Sequence, residues 1–321
     1  MRFLAVVITA ATALLAAPAA RTAPARNAAR LCAAGSGTTV GTVADPAIDE
    51  LSGLAESRAH RGVLWADNDS GDSTRVFAVR TDGADLGIVQ VAGATNVDWE
   101  DLALGPGPGG QDFLYAGDTG NASGNRSVVI VYRFAEPDPP GAGSTTIVMG
   151  EAVTLQYPDG GHDAEALLLD ARSGDLVIVT KVTGPAAAGV YRAPKASTAP
   201  TGSTIPLERV GNLATVAGDD VAARLAELAG LGDVANSVTA GSASARAGVA
   251  LMRTYTGIMA YAWPKRVSLA DALLATPCRA PAPVDPRFPQ GEAVALAPNG
   301  QRYITASEGA GAPLVQFRAA K

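Results

Sequence analysis

Aromatic residues, histidine, cysteine and long hydrophobic runs are all scarce in this chain. Phe, Trp and Tyr together make up 5% of its 321 residues, so a core must be built mainly from Val, Leu, Ala and Ile. Two histidines, His60 and His162, exclude a His-rich zinc site. His60 falls in an expected surface turn, Arg58–Gly62. No Gly-x-Ser-x-Gly elbow and no Gly-x-x-x-x-Gly-Lys-Ser/Thr phosphate loop occurs. A net charge of −6, with no basic patch carrying interleaved aromatics, disfavours nucleic acid and anionic membrane surfaces as partners. The only long apolar run is Phe3 to Leu15, which is short of the ~20 residues a membrane span needs. Arg2 precedes it and Ala17-Pro18-Ala19 follows it. That is the pattern of a secretory signal, expected over 1–19, with Ala23-Pro24-Ala25 as a second cleavage candidate. The mature protein is therefore expected outside the cell, secreted or held at the envelope. Export makes a Cys32–Cys278 disulfide the expected use of the two cysteines; two unpaired thiols are the alternative.

What the chain has in quantity is glycine, 36 residues, and proline, 21. It also has a short pattern that returns five times: Glu50-Leu51-Ser52-Gly53-Leu54, Asp98-Trp99-Glu100-Asp101-Leu102, Asp163-Ala164-Glu165-Ala166-Leu167, Ser237-Val238-Thr239-Ala240-Gly241 and Gln290-Gly291-Glu292-Ala293-Val294. Each copy leads into short apolar runs separated by turns such as Asp82-Gly83 and Pro298-Asn299-Gly300. Strand-rich repeats at this scale predict an all-β fold, a β-propeller of five four-stranded blades, with a sixth if one is hidden in an insertion. Between the aligned Ser52, Glu100, Glu165, Thr239 and Glu292 the spacings are 48, 65, 74 and 53 residues, so two units carry insertions.

Asp219, Asp220, Val221, Leu225, Leu228 and Gly230 predict a capped helix in one insertion, and Ser268 caps a second short one before Leu273. Residues 20–37 read as a flexible lead-in, and 38–321 as one domain. The fifth unit lacks an outer strand. Thr38–Val43 is expected to supply it and close the ring.

In each copy two polar positions lie two residues apart, and in a regular strand they share a side. The first set is Glu50, Asp98, Asp163, Ser237 and Gln290; the second is Ser52, Glu100, Glu165, Thr239 and Glu292. Together they place carboxylates from several blades at one mouth of the channel, where they repel one another unless protonated or bridged by a cation. The expected metal set is Glu50, Asp98, Glu100, Asp163, Glu165 and Glu292, with Ca²⁺ as the hard ion that suits it. A second polar column, expected to contact a ligand, is Asp69, Asp118, Lys181, Arg253 with Tyr255, and Glu308. His162 beside Asp163 is a candidate base, and Lys181, Arg253 and Tyr255 complete the catalytic candidates. Asp67-Asn68-Asp69-Ser70-Gly71-Asp72 has the composition of a Ca²⁺ loop but not the EF-hand spacing or closing Glu.

The Glu50–Leu54 copy followed by Val63-Leu64-Trp65-Ala66-Asp67-Asn68-Asp69-Ser70-Gly71 resembles the opening of secreted propellers of the phytase-like and esterase-like kind. Asp163-Ala164-Glu165-Ala166-Leu167, Gln290-Gly291-Glu292-Ala293-Val294 and Ser307-Glu308-Gly309 resemble the Asp-x-Glu-Gly and Ser-Glu-Gly stretches of that group, with Ala166 and Ala293 where Gly is usual. The resemblance implies a propeller, Ca²⁺, and ester or phosphoester hydrolysis. Three readings stand, the first two being a monomeric, cation-dependent module that binds a small molecule or a surface, and a Ca²⁺-dependent hydrolase. In the hydrolase, Glu100, Glu165 and Glu292 hold metal while Lys181 and Arg253 bind the reacting group. A structural cell-surface protein is the third.

Overall fold

A computed structural model describes residues 23–216 apart from Pro185, then Val234, residues 236–283, Asp285 and residues 287–321. The signal segment and the helix expected at 219–230 lie outside the described residues. Helix α1 (Ala23–Cys32) and strand β1 (Thr38–Thr42) come first. Blade one is β2 (Leu51–Glu56), β3 (Val63–Asn68), β4 (Arg75–Arg80) and β5 (Asp85–Ala92). Blade two is β6 (Trp99–Pro106), β7 (Asp112–Asp118), β8 (Val128–Ala135) and, after β9 (Thr145–Met149), β10 (Glu151–Gln156). Blade three is β11 (Ala164–Asp170), β12 (Asp175–Thr180), β13 (Gly189–Ala193) and, after β14 (Thr204–Pro206), β15 (Glu208–Asn212). Blade four is β16 (Val238–Ser244), β17 (Val249–Thr254), β18 (Ile258–Ala262) and, after the short helix α2 (Leu269–Ala272), β19 (Cys278–Ala280). Blade five is β20 (Gly291–Leu296), β21 (Arg302–Ser307), β22 (Pro313–Arg318) and β1.

Each blade is an antiparallel meander, as a chain of short strands joined by Gly and Asn turns must be. The apolar residues form five separate cores, one between each pair of neighbouring blades. Blades five and one share the core of Leu51, Leu54, Phe77, Ile304 and Leu314, so the ring is closed. Strand β1 pairs antiparallel with β22, which gives the last blade its outer strand as expected. Among the described residues there are five blades and no sixth.

Four details differ from the sequence reading. Residues 23–32, expected as part of a flexible lead-in, are helical. Ala28 and Leu31 lie one turn apart on the buried face of α1, where they join the core between blades four and five. The Cys32–Cys278 disulfide pins that helix to the outer strand of blade four. Strand β9, which follows the Pro- and Gly-rich loop after β8, was not expected. It crosses back to pair in parallel with β5. Residues 204–212 do not form one outer strand, as the short apolar runs around Ile205 and Val210 would suggest, but part after Pro206. Strand β14 joins blade two in parallel with β10, and β15 completes blade three. Pro206 has no N–H to continue a ladder. Finally, the outer strand of blade four contains Cys278 itself. Helix α2 starts as expected, with the Ser268 hydroxyl accepting from the Asp271 N–H.

Candidate functional site: an acidic mouth built on five bulges

The inner strand of every blade carries a β-bulge at the same place. Pairing skips between Leu51 and Leu54, Trp99 and Asp101, Ala164 and Ala166, Val238 and Ala240, and Gly291 and Ala293. The skipped residues are Ser52 (with Gly53), Glu100, Glu165, Thr239 and Glu292, the second polar set of the repeat. A bulge leaves one residue out of the ladder and re-aims its side chain. Here that brings carboxylates from successive blades together.

Oxygens of Asp69, Asp98 and Glu100 lie within 4.8 Å of one another, and so do those of Glu100, Asp163 and Glu165. The two triads share Glu100, which is 4% exposed and has no hydrogen-bond partner for its carboxylate among the described residues. Gly120 lies directly beneath. A Cβ there would collide with Glu100 Oε1 and Asp98 Cγ, so only glycine leaves the cradle open. Burial, then the neighbouring Asp69 and Asp163, push Asp98 up to about 6. Burial and then the charges of Glu165, Asp69 and Asp98 hold Glu100 well above its ordinary range. Glu165 is raised by burial and by Glu292, against the pull of Lys181. Three or more oxygens at this spacing, none able to donate once ionised, are a donor set for a hard cation.

The other expected metal residues are placed differently. Glu50 is exposed on the rim beside Asp49, Asp69 and Asp72, outside both triads. Glu292 also lies outside them, with Lys181 and Arg253 as its positive neighbours. Burial pushes its carboxyl up to about 8, and one carboxylate oxygen has no partner. Ser52 and Thr239 do not face a ligand. Their hydroxyls donate to Glu100 O (2.6 Å) and Gly291 O (2.7 Å) of the next blade. Ser237 likewise donates to Val182 O.

The second column is shifted in two of its members. Asp69, Lys181 and Glu308 are equivalent, since each N–H bonds the carbonyl of the first repeat position in its own blade: Glu50 (2.9 Å), Asp163 (2.9 Å) and Gln290 (3.0 Å). Asp118 and Arg253 are earlier in their strands, opposite Trp99 and Ala240. Asp118 is fully buried, paired with Arg126 (2.8 Å), and accepts from the Asp98 N–H (3.1 Å), so it holds Asp98 in place. Arg253 is fully buried beneath Gly291, where a Cβ would overlap its guanidinium. Burial lowers it to about 10 despite Glu292, and its Nε has no partner. It is not open to a substrate.

Lys181 Nζ is hydrogen-bonded to Glu165 Oε1 and sits 5.2 Å from the centre of the Tyr255 ring. Burial works against its charge, but Glu165 and Tyr255 outweigh that and raise its pKa. His162 belongs to another cluster. Its Nε2 bonds Asp159 Oδ1 (2.9 Å) and the Tyr191 hydroxyl (3.0 Å), and its ring packs edge-on against Tyr157. Only the adjacent Asp163 turns inward, where its Oδ1 accepts from the Asn121 N–H (2.6 Å). In the Asp67–Asp72 loop, Asp72 pairs with Arg75 (2.7 Å) and Asn68 bonds Ala47 O (2.7 Å), so the loop is a turn that contributes Asp69 alone to the mouth.

Two residues of the channel escaped the sequence reading. Asp101 Oδ2 accepts from the Leu167 and Gly241 N–H groups, both at 2.9 Å, and so ties blades two, three and four. Asp67 accepts from the Gly53 N–H (2.8 Å), and burial pushes it up to about 8. The donors come from other strands, so the local sequence carries no signal for either role. Beyond them, the opposite end of the channel opens on a cavity of about 320 Å³ that reaches Leu102, Leu167, Gly241 and Leu296 but none of the carboxylates of the two triads.

No protein-family model matches this chain, and no curated protein matches it. Among solved structures it is similar to Raptor from Chaetomium thermophilum, at 11% identity and a TM-score of 0.36, over 89% of this chain and 21% of that one. The chain thus spans about a fifth of that protein, and a likeness at this level carries no functional argument.

Proposed function

We propose that the acidic mouth binds a divalent cation, Ca²⁺ by its all-oxygen donor set, and that the protein is an exported binding module presenting that ion to an oxygen-bearing ligand. The observation that carries this reading is Glu100: a buried carboxylate without a hydrogen-bond partner among the described residues, shared by both triads and kept free by Gly120. Burying an unpaired carboxylate is expensive, and a bound cation offsets that cost. The carboxylates that would hold it are those of one of the two triads that meet at Glu100, with Asp69 and Asp98 on one side and Asp163 and Glu165 on the other; carbonyls and water would complete the six to eight oxygens Ca²⁺ takes. The resemblance to phytase-like and esterase-like propellers points to the same ion.

The hydrolase reading comes second. Arg253 is enclosed, His162 is engaged elsewhere, and Lys181 is held by Glu165, so none of these three candidates among the described residues is placed as a free base beside a nucleophile. Chelator-sensitive cleavage of a phosphoester that disappears in Glu100→Gln would reverse the order.

Thermal unfolding with Ca²⁺ and with EDTA at constant ionic strength tests the binding reading. At a Ca²⁺ concentration of about 100 times Kd the native state gains about 2.7 kcal/mol. Glu100→Gln and Gly120→Ala should each remove most of that gain. Absence of any Ca²⁺-dependent shift in the unsubstituted protein overturns the reading.

A further inference from the structure

The two triads at the mouth share Glu100 but are answered differently. In the second, Lys181 Nζ is bonded to Glu165 Oε1. In the first, none of Asp69, Asp98 and Glu100 has an ion-pair partner among the described residues. The positive groups whose fields reach them are committed elsewhere: Arg126, which acts on Asp98, to Asp118 at 2.8 Å, and Lys181, which acts on Asp69 and Glu100, to Glu165.

The origin of the difference lies in the repeat. Lys181 occupies in blade three the place that Asp69 occupies in blade one and Glu308 in blade five, as the shared backbone hydrogen bond shows. At that place two blades direct a carboxylate to the mouth and one directs an ammonium. The ammonium is held in position from two sides. Glu165 takes its proton-bearing end, and the Tyr255 ring lies 5.2 Å away, with Lys181 only 20% exposed along its side chain. Reaching water instead would cost it both contacts.

We infer that Lys181 is the built-in cation of the Glu100–Asp163–Glu165 triad, so that the mouth takes one divalent ion, on Asp69, Asp98 and Glu100, and not two. This rests on the cation-binding reading above. The physical reason is like-charge repulsion. A second divalent ion on Glu165 would sit within contact distance of a fixed positive charge and would have to displace it from its carboxylate. The single ammonium neutralises part of the acidic excess at all times. The ion on the other side neutralises the rest only when present. Lys181 is thus a positioning and stoichiometry-determining residue, which separates it from a role in binding a substrate group.

Calorimetric titration of the full chain with Ca²⁺ alone reads the number of ions directly. One ion per chain is expected for the native protein and for Lys181→Arg, and two for Lys181→Met, with circular dichroism showing that each variant is folded. Asp69→Asn should abolish binding in the native background. Two ions in the native protein, one ion in a folded Lys181→Met, or undiminished binding in Asp69→Asn would each overturn the inference while leaving cation binding intact. If Lys181→Met does not fold, the native count and Asp69→Asn decide. No binding by any form would instead overturn the reading on which the inference rests.

Discussion

The carboxyl groups of the channel are where single residues decide behaviour. Burial raises Asp98 to about 6 and Asp67 and Glu292 to about 8, and holds Glu100 and Asp101 well above their ordinary range. In the unfolded chain the same groups lose their protons at about pH 4. A raised folded pKa means that the folded state binds protons more tightly. The resulting stability is fully present below about pH 4 and is lost as pH rises through about 6 to about 8. In EDTA, the melting temperature should therefore fall between about pH 5 and about pH 9. Ca²⁺ should reduce that slope by favouring the ionised forms. A melting temperature that stays flat in EDTA across this range would mean that these carboxyls are not buried together in solution. The acidic and polar identity of the mouth was legible in the repeat, but the dominance of Glu100 was not. It depends on Gly120, and on Asp118 and Arg126, which hold Asp98 in place from outside the repeat.

Among the elements, the inner strands were read as regular, with both polar positions facing one side. The bulge in each changes that. The first position then goes to the rim in Glu50 but inward in Asp98 and Asp163, and the second follows the bulge. Bulges leave no composition signal, since the residue types at those places are the ones a strand end already uses. Turns were more legible. Gly83 has a φ of 89° and Gly300 a φ of 67°, conformations that glycine adopts at no steric cost. Strand β9 is the outermost of its sheet and leaves Ile147 72% and Met149 69% exposed. Because Ile147 buries little, Ile147→Lys should change stability by less than about 0.5 kcal/mol in urea unfolding while raising solubility, as a charge on an edge strand opposes strand addition. A larger loss would show that Ile147 is packed in solution.

Over the whole molecule, closure is held twice. Strand β1 pairs with β22 in the last blade, and the disulfide joins α1 to the outer strand of blade four across a separation of 246 residues. The helix seals the same gap, with Leu31 fully buried and Asn27 bonded to Ala247 O at 2.8 Å. Replacing both cysteines, Cys32→Ser with Cys278→Ser, should lower stability by roughly 2 to 5 kcal/mol in urea unfolding, the range for losing a native disulfide. A change below about 0.5 kcal/mol would mean that β1 and α1 alone carry the closure. Among the described residues no helix is long and apolar enough to cross a membrane.

The sequence by itself determined the repeat, and made five blades, a closing strand and a cysteine pair the expected arrangement, because each leaves a mark in local pattern: short apolar runs, turn glycines, an even cysteine count and a missing fifth outer strand; the ring and the disulfide then settled the alternatives of a sixth blade and of free thiols among the described residues. It also determined that carboxylates gather at one end. Only the tertiary structure decided which of them meet. That choice depends on bulges that re-aim side chains and on a register that sets Lys181 in the place of an acid. It depends also on amide donors such as those of Leu167 and Gly241, which reach Asp101 from 66 and 140 residues away. Distances of that kind are set by the closing of the ring, and no window of sequence contains both partners.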